Sequence, residues 1–145
     1  FGKIVNSEFI ESSLGTIIKQ ELLKTNDIRD NVFLGPWVIM PNHLHGIIYI
    51  NINSGVELPS YEIPNYSLIL NSVNSIGKQS KNLSSFVRGF KSSVTSQARA
   101  VGYKEVWQNN FFERIIRSQN ELINIENYIN ENILNWDKDT NNVNK

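Results

Sequence analysis

The chain contains two histidines, and both fall in one tripeptide, His43-Leu44-His45. That tripeptide sits within residues 35–51, GPWVIMPNHLHGIIYIN, a run rich in Val, Ile and aromatic residues and interrupted only at Pro41-Asn42. Pro presets φ for the first corner of a turn and Asn tolerates the second, so the run reads as strand, tight turn, strand. Strand side chains alternate faces, so the second strand is expected to present His43 and His45 on one side and Leu44 on the other. Neutral imidazole binds divalent metals, and a pair at i and i+2 supplies two cis ligands. The spacing is weakly specific by itself: two ordinary strand histidines are its commoner meaning.

A second half of a site lies near the C-terminus. Ser118-Gln119-Asn120-Glu121 matches a capping box and predicts a helix that runs to about Asn132 or beyond. At helical spacing Leu122, Ile125, Ile129, Ile133 and Trp136 form a core stripe, and Tyr128 and Asn132 lie one turn apart on its flank. The Asn132 amide oxygen can serve as a hard third metal ligand, and the Tyr128 phenol as a nucleophile beside that metal. A boundary tyrosine with its hydroxyl in water and an exposed asparagine are the commoner arrangement for either residue taken singly. Tyr49, on the same strand face as the histidines, is the alternative nucleophile.

The remaining elements have to position these groups. Residues 13–24 carry Leu14, Ile17, Ile18 and Leu22 at helical spacing, and residues 83–101 carry Leu83, Phe86, Val87, Phe90, Val94, Ala98 and Val101 on one stripe. Residues 54–81 read as a long polar loop, and residues 105–108 and 111–116 as short strands with helical alternatives open. Strands interleaved with helices in this order predict an α+β fold, one mainly antiparallel sheet with helices packed on it. At 145 residues and 40% hydrophobic content the chain is long enough to bury a core without cross-links. It has no cysteine, which excludes a disulfide framework, a thiolate zinc site and a cysteine nucleophile. No apolar run reaches the roughly 20 residues of a membrane helix, and no signal-peptide pattern opens the chain; a cytoplasmic protein without a membrane partner is the expectation.

The formal net charge of zero conceals a segregation. Residues 1–77 hold four basic and seven acidic side chains, residues 78–117 eight and two, and residues 118–145 two and five. A cationic middle can face a polyanion, or it can be a solvated helix face. The 21 asparagines cluster at 130–135 and 141–144, and the polar stretch after Trp136 reads as a frayed tail.

WVIMPNHLHGIIYI, then LSSFVRGFKSS, then VWQNNFFERIIRSQNELINIENYINENILNW, resembles the single-tyrosine transposases with a His-hydrophobic-His (HUH) motif. Among them the likeness is greatest to the group related to the REP-associated tyrosine transposases. It runs from Phe1 to about Trp136, which makes residues 1–136 one catalytic domain and 137–145 a tail. The resemblance implies a ferredoxin/RRM-like HUH nuclease fold. It implies that His43, His45 and Asn132 bind Mg²⁺ or Mn²⁺, and that Tyr128 attacks single-stranded or hairpin DNA to give a 5′-phosphotyrosine and a free 3′-OH. Lys78, Lys81, Arg88, Lys91, Arg99, Arg114 and Arg117 are then the candidates for backbone contacts. Such enzymes include monomers and dimers, so a homodimer is one assembly the resemblance admits.

The chain departs from that pattern at three places. Family members usually have a sheet strand ahead of the segment resembling FGKIV, whereas this chain starts at Phe1; N-terminal truncation is the expectation. Ile133 stands where relatives commonly have Pro, and Phe111 and Phe112 stand where an aromatic pair often contains Tyr. Two other readings compete with strand transfer: an inactive relative that holds structured single-stranded DNA without cutting it, and an unrelated metal-dependent hydrolase of small phosphoesters.

Overall fold

In the computed structural model the described residues are 1–28, 32–50, 80–109 and 111–142, with backbone only at 26 and 80–82. Strands β1 (Gly2–Val5) and β2 (Glu8–Glu11) form an antiparallel hairpin, followed by helix α1 (Ser13–Leu23) and the single turn α2 (Thr25–Ile28). Strands β3 (Val32–Ile39) and β4 (Leu44–Ile50) form a second antiparallel hairpin. Helix α3 (Ser80–Ala100), helix α4 (Gln119–Glu131) and a 3₁₀ turn (Trp136–Lys138) complete the order. The fold is α+β; the described strands pair antiparallel, and helices pack on them. Among the described residues no helix is long and apolar enough to cross a membrane.

Local sequence explains most boundaries. Ser12 caps α1 by accepting from the Gly15 N–H at 3.1 Å, and Ser118 caps α4 by accepting from the Glu121 N–H at 3.2 Å. Glu121 returns its carboxylate to the Arg117 N–H at 2.9 Å, one residue ahead of the position a strict capping box uses. Helix α3 stops at Gly102, whose φ of +97° is open to glycine. The Gly102 N–H donates to Arg99 O and the Tyr103 N–H to Ala98 O, the paired bonds of a Schellman end. The β3–β4 turn is the one expected at Pro41-Asn42, closed by the Met40 N–H donating to His43 O at 2.8 Å.

The β3–β4 hairpin is the middle layer. Ile39, with Leu34, Trp37 and Leu44, packs with Leu14, Ile18 and Leu22 of α1 and Val94 and Ala98 of α3. Val38, Met40, Ile47 and Tyr49 pack with Leu122 and Ile129 of α4 and with Trp136. Leu34 and Trp37 share a face despite their odd spacing because a bulge lies between them: Leu34 pairs with Ile48, and Trp37 with Gly46. Pro36, which has no N–H for a ladder, falls inside that bulge. Each fully buried Leu or Ile contributes about 1.5–3 kcal/mol, so Ile18 and Leu122, at 0% and 2% exposure, hold the two outer layers to the hairpin. Glu21 is buried where α1 meets α3 and is bonded by Lys24 at 2.5 Å and Gln97 at 2.8 Å. Burial pushes its carboxyl up, but the hydrogen bonds from Lys24, Ser93 and Gln97 outweigh that and leave it below the usual range.

Several expectations are corrected. The described strands form two separate two-stranded sheets rather than one, and the β1–β2 hairpin was not anticipated. Its turn places Asn6 and Ser7 at φ of 52° and 62°, left-handed at both corners, without the Asn-Gly signature that usually announces such a turn. Residues 105–108 and 111–116 are neither strand nor helix. The first of these is pinned to α3 by the Trp107 indole N–H donating to Lys91 O at 3.1 Å, not by a ladder. Helix α3 begins at Ser80, and the rest of the expected 54–81 loop lies outside the described residues. The stretch after Trp136 is tied down as far as residue 142: Asn142 Nδ2 donates to Trp136 O at 3.2 Å, and Asn42 Nδ2 to Asn141 O at 2.7 Å.

Candidate active site

His45 pairs with Val38 inside the β3–β4 ladder, whereas His43 is the last residue of the turn rather than a strand residue. The two rings still converge, in an edge-on arrangement, with their Nε2 atoms 3.1 Å apart. The Asn42 amide sets the tautomer of His43. Its Nδ2 donates to Asn141 O, so its Oδ1 is the acceptor facing His43 Nδ1 at 2.8 Å. Nδ1 therefore carries the proton, and the Nε2 lone pair points into the site.

Tyr128 arrives from α4, 83 residues along the chain, and its hydroxyl lies 3.4 Å from His45 Nε2, with the phenol ring edge-on to the imidazole. The Leu122–Ile129–Trp136 stripe buries the inner face of α4 and its continuation, which leaves Tyr128 on the flank, half-exposed at 51%. The expected convergence of two imidazoles and a phenol is present. Asn132 is 3% exposed, and its Oδ1 is buried without a hydrogen-bond partner. Tyr49, the alternative nucleophile, has its hydroxyl buried and unpartnered. Burial, and then the Glu126 carboxylate, push that phenol up, away from its reactive ionised form.

The electrostatics favour the neutral form of both imidazoles. Burial lowers His43, opposed by Asp139; burial and then the neighbouring His43 lower His45, again opposed by Asp139. Neutral rings are the metal-binding form. Two nitrogen donors about 2.1 Å from one ion, at angles of roughly 90–109°, stand about 3.0–3.4 Å apart, which brackets the observed 3.1 Å. The His43–His45 spacing fits two donors to one ion, and the Asn132 oxygen, buried with no protein partner, is free to act as a further hard donor. Among the described residues no three His, Cys, Asp or Glu side chains form a ready-made cation-binding group.

Asp139 was missed in the sequence. It follows the 3₁₀ turn, its side chain is 8% exposed, and its Oδ2 lies 3.9 Å from His43 Nε2. The available signal was Asp139 two residues before Asn141, an Asx-turn spacing: the Asn141 N–H donates to Asp139 Oδ1 at 2.7 Å.

A protein of Haemophilus influenzae (strain Rd) described as "uncharacterized protein" is 34% identical over 146 residues, spanning 96% of this chain and 75% of that protein. The chain belongs to the same family as that Haemophilus protein. No family model and no solved structure matches the chain.

In this member of the family the basic residues divide by what already engages them. Arg88, Arg99 and Arg117 are exposed. Arg114 pairs with Glu121 at 2.6 Å. Lys91 donates to Gln108 O at 3.2 Å and lies over the Trp107 ring at 5.6 Å. Lys78 lies outside the described residues, as does the Lys81 side chain. Lys91, Ser92, Thr95, Ser96 and Arg99 line a shallow groove of about 440 Å³ on α3. A second groove of about 480 Å³ is lined by Arg114, Ser118, Asn120, Glu121, Asn124 and Ile125. Neither includes His43, His45 or Tyr128.

Proposed function

We propose that this chain is a metal-dependent single-strand DNA endonuclease and strand transferase of the HUH single-tyrosine type, closest in kind to the REP-associated transposases. The observation that carries the reading is the approach of the Tyr128 hydroxyl to within 3.4 Å of His45 Nε2, itself 3.1 Å from His43 Nε2. A nucleophile beside paired neutral imidazoles, half-open to solvent, is what phosphodiester attack on an extended polymer needs.

His43, His45 and Asn132 would hold Mg²⁺ or Mn²⁺. When bound, that ion supplies neutralisation of a phosphate oxygen and orientation of the scissile bond. Tyr128 does the covalent work. Its oxygen forms a bond to phosphorus as the bond from phosphorus to the 3′ oxygen breaks, which leaves a 5′-phosphotyrosine and a free 3′-OH. Attack by another 3′-OH reverses the exchange, joins new DNA and returns the phenol. The ester conserves the bond, so no nucleotide cofactor is required. Arg88, Arg99 and Arg117 are the proposed phosphate contacts, with Lys91 and Arg114 joining on release from their present partners. The proposed substrate is single-stranded or hairpin DNA, and the proposed compartment is the cytoplasm.

The test is incubation with end-labelled hairpin-bearing single-stranded DNA and Mn²⁺ or Mg²⁺, resolved under denaturing conditions. A covalent protein–DNA adduct is expected that is absent in Tyr128→Phe and in the presence of EDTA. An adduct that survives Tyr128→Phe overturns the assignment, and DNA binding without any adduct identifies a chain that holds DNA but does not cut it.

A further inference from the structure

We propose that Asp139 is the anionic ligand of the His43–His45 cation site, drawn in from its edge when the ion binds; this rests on the metal-dependent reading above. Two imidazoles and an amide carry no charge to offset a divalent ion, and hard cations take carboxylate oxygen in preference to neutral donors alone. Asp139 Oδ2 stands 3.9 Å from His43 Nε2. That is too long for a hydrogen bond, yet it lies within the roughly 4.2 Å that two donors, each about 2.1 Å from a shared ion, can span.

The carboxylate is held there by a built arrangement. The Asp139 N–H donates to Trp136 O at 3.0 Å, which closes the 3₁₀ turn. Asp139 Oδ1 accepts from the Asn141 N–H at 2.7 Å and from Asn141 Nδ2 at 3.1 Å, which orients the other oxygen. One residue then ties this turn to the histidine turn: Asn42 donates to Asn141 O at 2.7 Å while its Oδ1 faces His43 Nδ1 at 2.8 Å. The same amide that aims the His43 lone pair also fixes the segment that carries the carboxylate. The carboxylate stands short of a closed cluster, consistent with a ligand that completes the site only around the ion.

The experiment is Mn²⁺ titration of the chain followed by the electron paramagnetic resonance signal of free Mn²⁺. Wild type is compared with Asp139→Asn, Asp137→Asn and His43→Ala, with far-UV circular dichroism on each. Asp137 is exposed and two residues away, so Asp137→Asn removes the same charge without removing the proposed ligand. Asn at 139 retains an acceptor for the Asn141 N–H, and Asp139→Glu, which retains the charge on a longer arm, serves if Asp139→Asn fails to fold. Asp139→Asn is expected to weaken Mn²⁺ binding by roughly tenfold or more, and Asp137→Asn by less than about twofold. Equal effects of the two, or wild-type affinity in Asp139→Asn, overturn the inference while leaving the metal reading intact if His43→Ala abolishes binding. An Asp139→Glu protein that binds no better than His43→Ala also overturns it. Absence of Mn²⁺ binding by wild type overturns both.

Discussion

Burial lowers the pKa of His43 and of His45, and the consequence is measurable in the metal-free protein. A folded-state imidazole with a lowered pKa binds fewer protons than its unfolded counterpart below about pH 6.5, so stability rises with pH in that window and falls as pH drops through it. The loss ends once pH is below the folded-state values. Asp139 opposes it from the tail, and Tyr128 faces the pair from α4. Urea denaturation in EDTA between about pH 7 and pH 5.5 is expected to show this decline, and His43→Gln/His45→Gln to flatten it. Asn132 carries a second prediction at the same scale. A buried carboxamide oxygen without a partner costs about 1–3 kcal/mol, so Asn132→Leu is expected to raise the melting temperature of the metal-free protein while abolishing Mn²⁺ binding. Sequence spacing anticipated that the two imidazoles and the Tyr128 phenol meet. It missed Asp139, because a carboxylate in an asparagine-rich tail carries no periodicity, and its placement depends on side-chain bonds to backbone across 99 residues, from Asn42 to Asn141.

At the scale of elements the β3–β4 hairpin decides whether the site exists. Its turn presents His43, its ladder presents His45, and its outer face takes the α4 stripe that delivers Tyr128. Gly35 is the sensitive position in it. A Cβ there would stand 2.6 Å from the Tyr49 ring and 3.2 Å from the Ile47 Cβ, so the bulge that sets the facing of Leu34 and Trp37 requires glycine. Gly35→Ala is expected to cost about 1–3 kcal/mol by chemical denaturation. The hairpin, α1, the α3 stripe and the α4 cap were legible because each follows a short-range rule: turn residues, a 3.6-residue period, a capping serine. The β1–β2 hairpin was not, since Asn6-Ser7 is a weak turn signal. The segments at 105–108 and 111–116 misled because strand-like apolar composition does not require a partner strand. Trp107 and Val106 bury themselves against the α1–α3 core from an irregular backbone instead, and Phe112 stays 90% exposed.

Across the whole molecule, two helical layers on either side of one hairpin do different work. The α1–α3 layer packs on one face of the hairpin, and α3 carries the Lys91–Arg99 groove. The α4 layer carries the Tyr128 phenol, the proposed nucleophile. Lys91 and Arg99 of the basic middle thus line a groove that does not include His43, His45 or Tyr128, and the proposed polymeric substrate would have to reach both. That placement was not legible from the charge count, because sequence gives the sign of a segment but not the face it occupies. The phenol is the point where substrate and protein are proposed to become one covalent molecule, and it can be located directly. After reaction with hairpin single-stranded DNA and Mn²⁺, nuclease trimming and trypsin, the peptide of residues 118–138 contains Tyr128 as its one tyrosine. Mass spectrometry is expected to find that peptide heavier by a 5′-linked nucleotide on Tyr128. A nucleotide on Tyr49 or Tyr103, or none on any tyrosine under conditions where the DNA is cut, would contradict the account.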